Sequence, residues 1–240
     1  MDTVKINSKN VKMIAHRGVS GIESQNTMYS FIAAGNRSYY GIETDVHVTA
    51  DGKYVCIHDF NFKNVAGRED LEIEKITYDE ARAVPLYDKS GNVSPILHIP
   101  SMEEYIETCK RYEKTAILEL KSNFSKEQIS EILSIITDLD YLDKVTFISF
   151  IYQNLIFIKE FKPKQSVQFL VSEVTENLLD MLKAYDMNLD INYKAMLTND
   201  AIKPFKDAGI EVNVWTVDNP RDAKILIENG VDYITSNILE

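Results

Sequence analysis

The chain has only two cysteines in 240 residues, Cys56 and Cys109, and no Cys-x-x-Cys pair. Two thiols cannot staple a chain of this length, so a disulfide scaffold is excluded and both are read as free buried thiols of a reducing compartment. Glycine and proline are scarce, at 9 and 6 residues, which removes collagenous and low-complexity classes. Positive charge is also short: 26 Lys and Arg stand against 37 Asp and Glu, a net charge of −11. A nucleic-acid binder needs a cationic face, so no nucleic-acid partner is expected, and an anionic substrate must be captured by a few local cations or a metal. No run approaches the roughly 18 apolar residues of a membrane helix. Met1 to Asn10 is polar and has no apolar h-region of a signal peptide. The reading is a cytoplasmic protein without stable membrane insertion.

What is present is an alternation. Apolar, β-branched runs are read as strands at Val11–Ala15, Tyr40–Val46, Thr115–Leu120, Val145–Phe150, Ser166–Val171, Leu189–Asn192, Glu211–Val217 and Asp232–Thr235. Amphipathic stretches between them predict helices over Thr27–Arg37, Met102–Tyr112, Lys126–Leu139, Gln153–Phe161, Glu176–Tyr185, Asp200–Ala208 and Pro220–Asn229. Ser101 and Ser125 stand where caps belong, Pro220 opens a helix, and Gly209 and Gly230 fall just past helix ends. Eight strands separated by helices predict a parallel sheet closed into a TIM (β/α)8 barrel. The length fits, because α/β barrels run about 200–250 residues as one domain. An open doubly wound sheet is the alternative, but the Gly-rich loop it usually carries after its first strand is absent. No full helix follows the eighth strand. Residues 47–100 break the rhythm, with a hairpin signal at Asp51-Gly52. They are read as an insertion between strand 2 and helix 2 that lids a site.

Barrel chemistry sits at the C-terminal ends of the strands. The first strand runs into His16-Arg17-Gly18, the second carries Glu43 and Asp45, the third Glu119 and Lys121, and the seventh Trp215. Side chains alternate along a strand, so Glu43 and Asp45 share a face, as do Glu119 and Lys121. A single strand carboxylate is ordinarily salt-bridged or solvated. Three converging in one mouth repel unless protonated or neutralised by a cation, and all-oxygen ligation suits one hard divalent ion, Mg²⁺ or Ca²⁺. Arg17 and Lys121 beside them make a phosphate pocket. His16 and His58 are the candidate acid and base, with Asp59 placed to fix the tautomer of His58. His47 shares the parity of Glu43 and Asp45 and is read as a rim or supporting residue. His98 is read as structural, and Trp215 as both core packing and a wall of the substrate pocket.

These residues, in this order, resemble the glycerophosphodiester phosphodiesterase family. The matching strings are Ala15-His16-Arg17-Gly18, Asn26-Thr27, Gly41-Ile42-Glu43-Thr44-Asp45-Val46, Thr49-Ala50-Asp51-Gly52, His58-Asp59, Ile99-Pro100-Ser101-Met102-Glu103-Glu104, Leu118-Glu119-Leu120-Lys121, Val214-Trp215-Thr216-Val217 and Asp232-Tyr233-Ile234-Thr235. The resemblance implies one phosphodiesterase TIM-barrel domain over 1–240 with 47–100 as an inserted subdomain. It implies a divalent metal on Glu43, Asp45 and Glu119, His16 and His58 as acid and base, and Arg17 and Lys121 at the phosphate. It also implies hydrolysis of small glycerophosphodiesters, such as glycerophosphocholine or glycerophosphoethanolamine, to sn-glycerol 3-phosphate and an alcohol. Rival readings are a lysophospholipid or phosphoinositide phosphodiesterase, marked by an apolar rim, and a barrel that binds a phosphorylated ligand without turnover. The chain departs from the family at Ser24-Gln25-Asn26-Thr27, where Pro-Glu-Asn-Thr is usual, and at Thr235-Ser236-Asn237, where Thr-Asp is commoner.

Overall fold

The computed structural model describes residues 2–240. The strand β1 (Lys12–Ala15) is followed by α1 (Met28–Gly35) and β2 (Gly41–Val48). An irregular stretch then carries β3 (Tyr54–Cys56), β4 (Asn61–Phe62), α2 (Lys63–Ala66), β5 (Arg68–Glu72) and α3 (Tyr78–Arg82). Regular alternation resumes with α4 (Met102–Arg111), β6 (Thr115–Leu120), α5 (Lys126–Asp138), β7 (Val145–Ser149), α6 (Tyr152–Phe161) and β8 (Ser166–Val171). It ends with α7 (Leu178–Ala184), β9 (Asn188–Asn192), α8 (Asn199–Asp207), β10 (Val212–Trp215), α9 (Pro220–Asn229) and β11 (Tyr233–Ser236).

Eight strands pair in parallel in the order β1, β2, β6, β7, β8, β9, β10, β11, and β11 returns to β1. This is the closed (β/α)8 barrel that the alternation predicts. Closure between β1 and β2 rests on only two register pairs, Ile14 with Gly41 and Ala15 with Ile42. After β11 the chain pairs with its own beginning: Val4 bridges Leu239, and the Val4 N–H donates to the Ile238 carbonyl at 2.9 Å.

Helix starts follow local chemistry. Ser101 and Ser125 each accept from the backbone N–H three residues on, and Glu104 and Gln128 reach back to close capping boxes. Thr27 does the same for α1 with Ser30, so it caps that helix from outside. Most observed elements are a residue or two shorter than the apolar pattern, as fraying ends are. β2 is longer than expected. It continues through His47 and Val48 because β3 pairs with it antiparallel, matching Val46 with Cys56, His47 with Val55 and Val48 with Tyr54. The irregular segment follows Val48, where β2 ends.

The apolar residues sort into three sets. Ile14, Ile117, Ile148, Leu170 and Tyr233, with Trp215 above them, fill the barrel. A large set, including Ile42, Val46, Leu118 and Phe147, packs the sheet against the helices. A third, including Val55, Ile57, Phe62, Ile73, Leu86 and Ile99, lies within the irregular segment and its join to the barrel. No described helix is long and apolar enough to cross a membrane.

Candidate active site

The turn after β1 is held in a demanding shape. Arg17 has φ of 53° and Gly18 φ of 71°, both in the left-handed region. A Cβ at Gly18 would lie 2.6 Å from the Ser30 backbone, so the turn packs directly on α1 and only glycine fits. The Arg17 N–H donates to Glu43 Oε2 at 2.7 Å, and the Gly18 N–H donates to the Glu43 carbonyl at 3.1 Å. The Arg17 carbonyl accepts from Ser30 Oγ and from the Asn26 N–H, both at 3.0 Å. This lattice sends the Arg17 and His16 side chains toward the mouth of the barrel.

Asp45 and Glu119 are register partners across β2 and β6, and Glu43 lies two residues below Asp45 on the same face. One oxygen from each of Glu43, Asp45 and Glu119 lies within 4.8 Å of the others, and all three residues are buried. Asn26 Nδ2 donates to Asp45 Oδ2 at 2.8 Å, and its Oδ1 accepts from Thr44 Oγ1 at 2.8 Å, which fixes the amide's orientation. Arg17 Nε stands 3.4 Å from Asp45 Oδ2. Lys121 Nζ stands 3.0 Å from Glu119 Oε1 and 3.6 Å from Asp45 Oδ1. Lys121 is braced from outside the barrel. Asn154 Nδ2 donates to the Ser122 carbonyl at 2.9 Å, and Ser149 Oγ donates to the Leu120 carbonyl at 2.7 Å.

The electrostatics of this cluster are unequal. Burial, then Asp45, pushes Glu43 well above the ordinary carboxylate range. The same two causes raise Glu119 to about 8. Burial also pushes Asp45 upward, but Arg17 and Lys121 overcome it and hold that carboxyl well below its usual range. Lys121 is pulled down by burial, yet Glu119 and Asp45 leave it raised. Two of three carboxyls thus ionise only at a high cost. Asp45 Oδ1 is buried without a hydrogen-bond partner. A hard cation fits this donor set, since it would supply the missing partner and the missing charge.

The two candidate proton carriers differ in partners. His16 Nδ1 lies 2.7 Å from Asn237 Oδ1, an acceptor, so Nδ1 carries the hydrogen and Nε2 is left bare, 3.9 Å from Glu43 Oε2. Asn237 is itself oriented by Asp218, which accepts from its side-chain and backbone N–H at 2.6 and 2.8 Å. Burial, then Arg17, lowers His16 to about 4. His58 Nδ1 lies 2.7 Å from Asp59 Oδ1, and Asn64 Nδ2 holds the other Asp59 oxygen at 2.7 Å. Burial lowers His58, and Asp45 counters part of that shift.

His16, Arg17, Glu43, His58, Glu119, Lys121 and Trp215 meet around one cavity of about 100 Å³, with Ile148 and Leu170 beneath. A larger cleft of about 690 Å³ lies alongside, between residues 64–91 and the loops after β1 and β11, and holds none of the three carboxylates. His47 does not line the cavity. Its Nε2 meets the His58 carbonyl at 3.2 Å and its ring lies edge-on to Phe60, with centroids 4.8 Å apart. His98 Nε2 meets the Pro95 carbonyl at 3.3 Å, away from the cavity. Gln25 Oε1 accepts from Arg17 Nη1 at 2.6 Å. Trp215 packs edge-on to Phe150, with centroids 5.6 Å apart. Asp190 also lines the cavity, and neither it nor Asn237 is assigned a role by the sequence reading. Strand parity could have flagged Asp190. Asn237 is marked in the sequence only as part of Thr235-Ser236-Asn237, a departure from the family pattern, and it meets His16 because β11 closes against β1.

Comparison with known proteins gives a consistent result. The glycerophosphoryl diester phosphodiesterase family matches the chain over residues 16–239. A glycerophosphodiester phosphodiesterase from Caldanaerobacter subterraneus subsp. tengcongensis is 26% identical over 231 residues, covering 94% of this chain and 93% of that protein. Among solved structures, a glycerophosphodiester phosphodiesterase from Parabacteroides distasonis is 30% identical with a TM-score of 0.80, covering 95% of this chain and 93% of that one. An Oleispira antarctica phosphodiesterase in complex with the product sn-glycerol-3-phosphate is 25% identical with a TM-score of 0.84, covering 98% and 96%.

Proposed function

The chain belongs to the glycerophosphoryl diester phosphodiesterase family, a family of phosphoric diester hydrolases, and from that premise we propose that it cleaves glycerophosphodiesters to sn-glycerol 3-phosphate and a free alcohol. In this reading one divalent cation, Mg²⁺ or Ca²⁺, is held by Glu43, Asp45 and Glu119, and residues 47–100 act as a lid on a single catalytic domain. The observation that carries it is the meeting of these carboxylates within 4.8 Å of one another beside Arg17 and Lys121. Three acids and two fixed cations at one barrel mouth match a phosphodiester and its counter-cation better than they match each other.

Each residue then has a task. Arg17 presents its guanidinium to the non-bridging oxygens, tethered by Gln25 and Asp45 so that its direction is set before substrate arrives. Lys121 adds a point charge to the same phosphate. His16 is half-buried and neutral with Nε2 bare, which suits it to take a proton from the nucleophile, water or the glycerol 2-hydroxyl. His58 Nδ1 is hydrogen-bonded to Asp59, which orients the ring, offsets part of the lowering that burial imposes and would stabilise the imidazolium from which the leaving alkoxide takes its proton. A bound divalent cation supplies Lewis-acid polarisation of the phosphoryl group.

The test is release of glycerol 3-phosphate from glycerophosphocholine and glycerophosphoethanolamine by metal-stripped protein, with and without added Mg²⁺ or Ca²⁺. Cation-dependent release supports the reading; no release with any cation overturns it. A lysophospholipid belongs in the same assay. Phe60 and Phe150 are 58% and 45% exposed; Phe150 lines the cavity and Phe60 lies two residues beyond His58. Such a rim favours a substrate with an apolar tail as the second reading.

A further inference from the structure

Asp190 is a carboxylate that the proposed chemistry leaves without a task. It is 2% exposed, lines the barrel-mouth cavity, and its Oδ1 has no hydrogen-bond partner. Its register partner on β10, Asn213, is committed elsewhere: Asn213 Nδ2 donates to Gln168 Oε1 at 3.0 Å, and Thr235 Oγ1 donates to Asn213 Oδ1 at 3.2 Å. The charged side chain that acts on it is the like-charged Glu119. Asp190 is not one of the three carboxylates that converge on a cation position. One strand over, Trp215 Nε1 is also buried without an acceptor, and Trp215 lines the same cavity. Buried polar atoms without partners are costly and rare, and two in one cavity call for a ligand that serves both.

The kind of ligand follows from the donor inventory. Trp215 Nε1 can only donate, while a carboxyl accepts from hydroxyls. A hydroxyl group both donates and accepts, so a polyol answers both orphans at once. Ile148 and Leu170 on the cavity wall offer apolar contact for its carbon chain, and Arg17 and Lys121 border the same small space. We infer that Asp190 is a specificity-determining residue which, together with Trp215 Nε1, reads hydroxyl groups on the carbon chain attached to the phosphate. The inference rests on the phosphodiesterase reading for the place of the phosphate.

Binding separates the two ideas, because it needs no turnover. The probes are sn-glycerol 3-phosphate and propyl phosphate, which has the same three-carbon chain without hydroxyls, titrated calorimetrically into Mg²⁺-loaded protein. The native chain is expected to prefer glycerol 3-phosphate. Asp190→Leu is expected to weaken glycerol 3-phosphate by about 2- to 10-fold, the range for a hydrogen bond between neutral groups, and to leave propyl phosphate unchanged. Asp190→Asn, which keeps the shape and one acceptor, is expected to lose less and guards against a folding failure of the leucine variant. Equal weakening of both probes would mean a merely structural role and overturn the inference. So would unchanged binding of both, or a native chain that does not distinguish them. Turnover of glycerophosphocholine, measured separately, decides the phosphodiesterase reading.

Discussion

Glu119 gives a stability prediction whose sign and size both come from the site. In metal-stripped protein its carboxyl is raised from an ordinary 4.5 to about 8 by burial and by Asp45. A raised acid binds its proton in the folded state over a range where the unfolded chain has already released it. Stability is therefore highest near the unfolded value and falls as pH rises from about 4.5 to about 8, with no further loss above that. The shift corresponds to an upper figure of roughly 5 kcal/mol, or on the order of 1–2 M in urea midpoint. Glu119→Gln removes the titration while keeping the shape. Urea unfolding in EDTA between pH 5 and pH 9 is expected to show the two proteins nearly equal at pH 5, with the glutamine protein more stable at pH 9. Saturating Mg²⁺ should then restore the native chain at high pH and help the variant less, since a third of its cation ligands has lost its charge. Parallel pH curves for the two proteins in EDTA would refute the reasoning, because Glu119 would then be no more strained in the folded state than in the unfolded chain.

Three shorter predictions follow from other parts of the molecule. His16→Ala should lower kcat by about 10²- to 10⁴-fold with a smaller effect on KM, read from steady-state kinetics on glycerophosphocholine; normal turnover would remove His16 from the reaction. Gln25→Glu gives Arg17 a second carboxylate beside Asp45, so its guanidinium is less available to phosphate. KM should rise a few-fold to about 10-fold with the melting temperature little changed. Ile117→Ala opens a hole in the fully buried barrel interior and should cost about 2–5 kcal/mol by denaturant titration, with far-UV circular dichroism retained.

Much of this arrangement was legible because a barrel strand encodes its own geometry. Period-2 alternation alone places Glu43 with Asp45 and Glu119 with Lys121, and the structure sets Asp45 in register with Glu119 across β2 and β6. What escaped the sequence depends on contacts between distant segments. The extension of β2 through His47 exists because β3 folds back on it, and His47, read as a rim or supporting residue, meets the His58 carbonyl there. Asn237 meets His16, and Asn154 braces the turn that carries Lys121, across separations of 221 and 32 residues. Asp190 carries no motif at all. Its isolation is visible only once its neighbours are seen bonding to one another.

The pairing of Val4 with Leu239 has a practical consequence. Thr3 Oγ1 also reaches Glu240 Oε2 at 2.5 Å, so residues 3–4 lie side by side with residues 238–240, held by backbone and side-chain bonds. The segment before β1 is thereby fastened to the segment after β11, beside the strand pair that closes the barrel. Val4→Pro, which removes the N–H that donates to the Ile238 carbonyl, would loosen that seam while leaving the three carboxylates on intact strands.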